Sequence, residues 1–300
     1  MTGILIVDKP QGMTSHTVVN KLRRIFEQKA IGHGGTLDPM ATGVLPVFLG
    51  RATKAAPYVR DGDKTYLARF RFGVSTDTQD ITGTTLRESA DIPTQEALDA
   101  VLPRFRGAIS QLPPMYSAVQ VDGVRLYKLA RSGVEIEREA RDIVIHELEP
   151  VTVPEFGERG PGEWDFRVTC SKGTFIRTLC ADIGDALGCG ACLSALRRVH
   201  TGQFTIEDAY TLEKLEEIKG AGMLETTVKP CDCIFTDLPV ISLTPENTLR
   251  FKRGAPVYLS GKKSGRYRIY SYEKEFLGLG NIEQTDRRPE LTVEKGMFDE

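Results

Sequence analysis

Residues 32–46 read GHGGTLDPMATGVLP, a glycine-rich stretch whose single carboxylate, Asp38, stands between glycines and Pro39. Glycine lets another chain segment approach the backbone closely, and the proline biases Asp38 toward an extended conformation. Neither G-x-G-x-x-G nor G-x-x-x-x-G-K-[ST], the glycine patterns that bind nucleotide phosphates, occurs here. From these residues alone, Asp38 can be interpreted either as a turn former or as a catalytic residue. We expect residues 32–50 to be largely loop.

The elements around this stretch follow from local patterns. The apolar residues 4–7 predict a short buried strand. Ser15 is a suitable N-cap for a helix whose apolar residues recur at helical spacing from 18 to 26. Residues 66–72 alternate in the manner of a half-buried strand, with Tyr66 on its apolar face. The glycine-rich stretch is therefore expected to lie between a helix and a strand.

A later helix carries an arginine off its apolar stripe. Residues 174–187 predict this helix, and Arg177 lies beside Ala181 and Gly184, small neighbours that would let another group approach the guanidinium. Other patterns predict helices over 94–104 and 212–218, strands over 142–149 and 163–170, and a hairpin over 119–126 that turns at Asp122-Gly123.

The texture of the chain changes near its C-terminal end. From residue 238 onward, short β-like runs at 256–259, 267–272 and 276–282 are separated by glycines. This texture predicts a small β-barrel, and hence two domains, 1–236 and 237–300. Strands and helices alternate without a regular βαβ rhythm, so we expect an α+β fold rather than a doubly wound sheet.

The composition is that of a globular protein in a reducing compartment. Hydrophobic residues make up 40% of the 300 residues, and no apolar run approaches the length of about 20 residues that spans a bilayer. The N-terminus lacks the basic region of a signal peptide, so we expect a cytoplasmic protein without a membrane partner. The pairs Cys189-x-x-Cys192 and Cys231-x-Cys233 are compatible with a zinc-binding site. We favour buried free thiols instead and expect no metal site.

Basic residues are concentrated in two segments, although the net charge of the chain is -2. Residues 21–71 contain ten Lys or Arg and four Asp or Glu, a net charge of +6. Residues 240–271 contain seven Lys or Arg and one Glu, again a net charge of +6. Such segments indicate a surface that meets phosphate, and an ordinary solvated face is an equally open interpretation.

With these features in place, the stretch at 32–46 resembles the catalytic loop of the bacterial tRNA pseudouridine synthases of the TruB family. Further motifs match that family in the same order, so that the resemblance covers roughly residues 1–235. They are DKPQGMTS (8–15), KTYLARFRFGVSTDTQDITG (64–83), PPMYSAVQVDGVRLYKLAR (113–131), SKGTFIRTLCADIG (171–184) and GCGACLSALRR (188–198). The C-terminal part resembles a PUA-type RNA-binding barrel by texture and position.

The resemblance implies a fold more specific than the patterns give. A mixed, largely antiparallel pseudouridine-synthase sheet with flanking helices is expected over 1–236, and a small PUA-like β-barrel over 237–300. Within the first domain, an insertion at about 104–150 would grip RNA. This chain departs from the family at Phe175, where tyrosine is common, and at Gln120, where lysine is common. Both departures bear on RNA contacts rather than on the catalytic group.

The resemblance also implies the catalytic residues. Asp38 would be the essential carboxylate, and Arg177 would pair with it, keep it ionised and orient it. Tyr66 would stack on the uracil, and either help to remove the C5 proton or contact the base by packing. From the residue patterns alone, Tyr66 is a core aromatic and Arg177 a surface arginine.

Five more residues receive supporting roles in the same way. His33 would occupy the space left by an extruded base, and Leu196 would form an apolar floor for the uracil. Lys9 would support the catalytic loop, Lys64 would meet phosphate, and Asp80 would organise the site by hydrogen bonding. Without the resemblance, Leu196 is a core leucine and Asp80 an exposed loop acid.

The activity that the resemblance implies is conversion of uridine to pseudouridine at position 55 in the T loop of tRNA. This isomerisation needs no cofactor, and the partner would be the T arm of tRNA, bound by a monomer without an obligatory protein partner. Three alternatives remain open: an RNA-binding or tRNA-folding protein without catalysis, a guide-RNA-dependent pseudouridine synthase, and an aspartate-dependent nucleoside hydrolase.

Overall fold

The protein forms one large mixed sheet and a second, five-stranded sheet near the C-terminal end. The computed structural model describes residues 1–60, 62–117, 119–121, 123–285 and 288–298. The strands are β1 (Gly3–Lys9), β2 (Ile31–His33), β3 (Thr42–Leu49), β4 (Lys64–Phe72), β5 (Val74–Thr76), β6 (Thr85–Glu88), β7 (Gly107–Gln111), β8 (Gln120–Val121), β9 (Val124–Arg125), β10 (Arg141–Val151), β11 (Glu163–Cys170), β12 (Ala191–Thr201), β13 (Phe204–Thr205), β14 (Val240–Ser242), β15 (Val257–Tyr258), β16 (Gly265–Tyr270), β17 (Phe276–Glu283) and β18 (Glu290–Gly296). The α-helices are α1 (Ser15–Ile25), α2 (Ala56–Arg60), α3 (Gln95–Val101), α4 (Leu126–Arg131), α5 (Ile176–Ala186), α6 (Leu212–Gly220) and α7 (Pro245–Lys252).

The large sheet has the order β1-β3-β12-β4-β11-β10-β7, with β2 paired to β3 and β13 paired to β12. Its pairs are antiparallel except where β12 meets β3. The five-stranded sheet has the order β14-β16-β17-β18-β15 and its own apolar core. The predicted α+β fold, with a mixed and largely antiparallel sheet and a PUA-like C-terminal sheet, is confirmed. Among helices of the described ranges, none has the length and apolar character that crossing a bilayer requires.

Most elements predicted from periodicity are present. β4, β10, β11, α3, α5 and α6 occur where alternation or helical spacing predicted them. Tyr66, Ala68, Phe70 and Phe72 are all buried on one face of β4, as the alternation predicted. The hairpin over 119–126 is confirmed as β8 paired with β9, although Asp122 of its turn lies outside the described residues.

The expectation that residues 32–50 are largely loop was wrong. Residues 42–49 form β3, a strand inside the sheet with β1 on one side, because its apolar run is buried on both faces. Pro46 obscured this strand. The Pro46 carbonyl accepts a hydrogen bond from Gly34 N at 2.9 Å, just past the end of β2, so its missing N–H falls where that ladder ends.

The N-cap of α1 also differs from the prediction. Thr14, not Ser15, caps the helix, because the Thr14 side chain accepts from Thr17 N at 3.0 Å. The buried Ser15 hydroxyl instead accepts from Leu37 N at 2.9 Å and lies 3.2 Å from Leu37 O. Ser15 therefore ties the first turn of α1 to the residue before Asp38.

Small residues let strands and helices approach near the predicted catalytic loop. Gly43 has φ +99°, and a Cβ there would overlap the Arg198 carbonyl, so β12 can meet β3 only at a glycine. Gly184 of α5 has a similar function, because its Cβ would collide with the backbone of Gly190 and Ala191. Gly184 therefore makes room for the start of β12, and its predicted role of making room beside the Arg177 guanidinium stays a prediction.

The predicted division at residue 236 crosses a continuous apolar contact. Phe235 stacks near Phe276 of β17 with ring centroids 6.1 Å apart, and Arg51 pairs with Glu275 at 3.1 Å. The segment that leaves the large sheet within the predicted insertion is 112–140, because β7 and β10 at its two ends both pair in that sheet. The domain boundaries and the extent of the insertion stay predictions.

A buried ion pair stabilises the face of the sheet opposite Tyr66. Arg69 of β4 donates from Nε to Asp165 of β11 at 2.6 Å, and both side chains are almost fully buried. The remaining Arg69 nitrogens donate to the carbonyls of residues 156–158. Removing the Asp165 carboxylate would break both of its bonds to Arg69 and leave the buried guanidinium with the longer 3.6 Å contact between its Nη1 and Glu163 Oε2.

We therefore expect Asp165→Ala to lower the free energy of unfolding by about 3–5 kcal/mol, the usual cost of breaking a buried pair. Arg167→Ala, in the same strand, removes an exposed pair with Glu147 and should cost about 1 kcal/mol or less. Chemical denaturation of both variants would measure the difference. Equal losses would contradict this view of the Arg69 pair.

Candidate active site

Asp38 lies in the loop between β2 and β3, where its carboxylate meets Arg177. The Asp38 Oδ2 is 2.9 Å from Arg177 Nε, and 38% of the Asp38 side chain is accessible. The Asp38 carbonyl accepts from Ala41 N at 3.1 Å, which closes the turn before β3. The carboxylate is thus held on one side by a cation and open on the other.

Arg177 is fixed by carbonyls as well as by Asp38. From the first turn of α5, its Nη1 donates to Thr78 O at 2.9 Å and its Nη2 donates to Tyr116 O at 2.8 Å. Only 6% of the side chain is accessible. The planar guanidinium therefore has partners in three directions, which leaves it one orientation toward Asp38.

Asp80 is the second carboxylate of this group. One oxygen lies 3.7 Å from Arg177 Nη1, and the other accepts from Thr82 N at 2.9 Å, Thr82 Oγ1 at 2.6 Å and Thr78 Oγ1 at 2.9 Å. Asp80 thus shapes the loop whose Thr78 carbonyl holds Arg177. The structure brings Asp38, Arg177 and Asp80 together as one network, in which Arg177 and Asp80 are buried and Asp38 is partly accessible.

The pKa of Asp38 is raised, not lowered, from the ordinary aspartate value of 3.8. Burial of the carboxylate is the largest cause of the raised pKa, and the negative charge of Asp80 raises it further. Arg177 and Lys9 lower it. Although part of the side chain is accessible, the protein surrounds its other sides. The expectation that Arg177 keeps the carboxylate ionised therefore understates burial, whose effect on the Asp38 pKa outweighs that of the guanidinium.

If an ionised Asp38 is needed for reaction, kcat/KM should fall as the pH drops through the Asp38 pKa, above 3.8. Asp80→Asn removes a negative neighbour that raises this pKa, so the acid limb should move to lower pH. The pH profile of kcat/KM for both proteins would measure the shift. A limb that moves upward, or does not move, would contradict this electrostatic role of Asp80.

Tyr66 and Leu196 lie in the apolar cluster that contains the neighbours of Asp38. Both are buried with Leu37 and Met40 of the loop. Burial raises the pKa of Tyr66 to about 12, although the positive charge of Arg198 opposes the rise. The Tyr66 phenol is therefore neutral near pH 7, which disfavours its acting as a phenolate base.

Lys9 supports the loop from below. Its buried Nζ donates to Met13 O at 2.6 Å, Pro10 O at 2.9 Å and Pro39 O at 3.3 Å. Burial lowers its pKa to about 8, with Asp38 opposing the shift. The ammonium thereby links the end of β1 to the residue after Asp38, and its role in supporting the catalytic loop stays a prediction.

His33 and Lys64 lie at strand ends. His33 is the last residue of β2 and pairs with Val47. Lys64 is the first residue of β4, and its Nζ donates to Gly62 O at 2.6 Å. Their roles toward an extruded base and toward phosphate stay predictions.

Sequence reasoning missed several residues that position this site. Gln111, buried at the end of β7, accepts from Phe175 N at 2.8 Å and donates to Phe175 O at 3.1 Å, just before α5. Arg198 was not considered either, although it lies two residues beyond Leu196. The Tyr116 and Thr78 carbonyls carry no signal in the sequence, because any residue type offers a carbonyl.

The two cysteine pairs considered for a zinc site are free cysteines in this structure. Cys189, Cys192 and Cys231 are buried, and burial raises the pKa of Cys192 and Cys233 to about 11. Across the described ranges, no three His, Cys, Asp or Glu side chains cluster as a metal site requires.

Comparisons with known proteins agree with the motifs. Three family profiles match consecutive parts of the chain: TruB family pseudouridylate synthase (N terminal domain) at 23–176, tRNA pseudouridylate synthase B C-terminal domain at 177–236, and Pseudouridine synthase II TruB, C-terminal, at 239–287. The tRNA pseudouridine synthase B of Azoarcus sp. (strain BH72) is 44% identical over 291 residues, 97% of this chain and 94% of the relative. That of Francisella philomiragia is 45% identical over 290 residues, 95% of this chain and 92% of the relative.

A solved structure of a Cbf5-Nop10-Gar1 complex has a similar fold. Its TM-score is 0.71 at 28% sequence identity, over 99% of this chain and 85% of that chain. The same fold and the higher identity to the bacterial relatives confirm the resemblance seen in the motifs. The chain belongs to the TruB family of pseudouridylate synthases.

Proposed function

We propose that this protein converts uridine to pseudouridine at position 55 in the T loop of tRNA, with Asp38 as the catalytic carboxylate. The observation that carries the proposal is the Asp38 side chain, open to solvent on one side and 2.9 Å from a buried, fully partnered Arg177. The names of the similar proteins, tRNA pseudouridine synthase B, support the substrate.

The chemistry needs one nucleophilic or charge-stabilising group and no cofactor. The bond between N1 and C1′ breaks, the uracil turns, and C5 joins C1′. C5 gives up its proton and N1 takes one up, so the product is an isomer of the substrate. Two routes are open for Asp38: addition to the nucleotide, or stabilisation of the cleavage that leads to a glycal-like intermediate. Both require the carboxylate to be ionised and aimed at the sugar.

The surrounding residues supply orientation and an apolar surface. Arg177 and Asp80 hold the carboxylate in place, which reduces the reorganisation needed during reaction. Tyr66 and Leu196 contact the uracil by packing, and the neutral Tyr66 phenol takes part through a hydrogen bond rather than as a phenolate. A base inside a T loop reaches Asp38 only after leaving its stack, and we assign His33 to the space it leaves.

The RNA surface is smaller than the two basic segments indicate. Arg69 is buried in an ion pair, while Arg51 and Lys252 both pair with Glu275. In the turn before β16, Lys262 and Lys263 are exposed. We propose that such exposed cations, with Lys64 near the site and the segment 112–140, contact the phosphates of the T arm.

Purified protein and a T-arm hairpin provide the test, without guide RNA or protein partner. We expect pseudouridine at the position equivalent to 55, no release of free uracil, and affinity that falls as salt rises. The 112–140 segment favours this stand-alone activity, because the protein then supplies its own grip on RNA. An absolute requirement for guide RNA, free uracil as product, or binding without modification would each favour one of the alternatives. We also propose a monomer acting in the cytoplasm.

A further inference from the structure

A second arginine, Arg198, lies buried beneath the Asp38 loop. Its side chain enters from β12, two residues after Leu196, and only 1% of the residue is accessible. The Nε donates to Val44 O at 2.8 Å and Nη2 donates to Gly35 O at 3.2 Å. These carbonyls stand at the two ends of the loop, so a single side chain bridges its start and its finish.

The environment of Arg198 is unusual for a buried cation. In the part of the chain that the structure describes, no acidic side chain forms an ion pair with it, and carbonyl oxygens solvate the charge instead. Burying a charge without a counter-ion is costly, and an apolar residue would fill the same volume at a lower cost. The position of the guanidinium therefore matters more than its contribution to stability.

Tyr66 is the cross-strand neighbour of Arg198. The two residues face each other in the β12–β4 register, next to a bulge between Arg198 and His200. The positive charge of Arg198 also acts on the Tyr66 hydroxyl, because it lowers the Tyr66 pKa against the rise that burial causes. A guanidinium has donors and no acceptor, so the tyrosine oxygen can act only as an acceptor toward it. The phenolic proton is then directed away from Arg198.

We propose that Arg198 is a positioning residue of the pseudouridine reaction: it holds both ends of the Asp38 loop and fixes the Tyr66 hydroxyl as a hydrogen-bond donor toward the base pocket. The inference rests on the proposed function, because the pocket is defined by Asp38. Arg198 does not touch the substrate. It acts through Gly35, Val44 and Tyr66, which places the carboxylate and the phenol in a fixed relation.

The test compares Arg198→Gln and Arg198→Lys with the parent protein. We expect the single-turnover rate on a T-arm hairpin to fall by roughly 10- to 100-fold in Arg198→Gln, because small displacements of a catalytic group have effects of that size. Affinity for the hairpin should change by less than about threefold, since no RNA contact is lost. Arg198→Lys should recover part of the rate, because an ammonium can replace some but not all of these bonds.

A spectroscopic measurement separates positioning from a loss of structure. In protein labelled at the tyrosine Cζ carbon, the Tyr66 resonance, assigned with Tyr66→Phe, should shift in both Arg198 variants while the other tyrosine resonances stay in place. Arg167→Gln is the matched control: it removes an equal charge from the neighbouring sheet surface, where Arg167 is about half exposed, and should change neither rate nor resonance.

A folded Arg198→Gln protein with the parent rate and an unmoved Tyr66 resonance would overturn the inference. Should that variant fail to fold, Arg198→Lys decides in the same way, since it keeps the charge. Failure of the proposed function is a different result: the parent protein itself would then form no pseudouridine. Loss of RNA affinity in step with the rate would also count against a positioning role.

Discussion

Asp38→Asn should abolish pseudouridine formation while leaving tRNA binding intact. The amide has nearly the same shape, and its oxygen can still accept from Arg177 Nε, so the loop should keep its conformation. It has no negative charge to offer to the sugar by either route. Removing an essential nucleophile usually lowers the rate by a factor of roughly 10⁴ or more. The expected result is a modification below detection over many hours.

Mapping of pseudouridine in tRNA, together with binding measured at the same salt concentration, would check this expectation. Asp99→Asn is a suitable control, since Asp99 is an exposed carboxylate on α3 that bonds to Gln95. It should leave the rate within about twofold of the parent, as surface substitutions usually do. Full activity of Asp38→Asn would refute the enzyme assignment, whereas loss of binding in that variant would show that the loop, not the chemistry, was damaged.

The fold could be predicted best where one periodicity dominates. β4 and α5 have regular spacings of apolar residues, and both occur close to their predicted bounds. β3 was missed because Gly43 and Pro46 resemble loop signals, and β12 because Gly188 and Gly190 stand just before it. Those residues serve tertiary contacts, as Gly43 shows by admitting the Arg198 carbonyl. Local sequence patterns contain no information about which other strand a given strand will pair with in the sheet.

The candidate site shows the same limit. Motif resemblance identified Asp38, Arg177 and Asp80, and the structure places them within one network. The motif resemblance could not show that burial outweighs the positive charge of Arg177 and so raises the Asp38 pKa. Nor could it assign Ser15, since a serine before a helix is equally suited to capping and to binding the backbone of a distant loop.

Arg177→Lys keeps the positive charge at the site, yet we expect it to lower kcat by roughly 10²- to 10³-fold. An ammonium is a single point of charge on a flexible stem. It cannot donate at once to Asp38, Thr78 O and Tyr116 O, which the guanidinium reaches with three different nitrogens. The carboxylate should then lose its fixed orientation, and the loop around Thr78 and the start of the 112–140 segment should lose their common anchor.

Single-turnover rates and hairpin affinity would separate these effects, with Arg87→Lys, an exposed arginine bonded to Gly188 O, as the control. The control should keep the parent rate. Arg177→Met extends the test: without the cation, nothing from α5 opposes the burial that raises the Asp38 pKa, so the acid limb of kcat/KM should move to higher pH. If Arg177→Lys instead kept the parent rate, charge alone would suffice, and the three-way fixation of the guanidinium would have no part in catalysis.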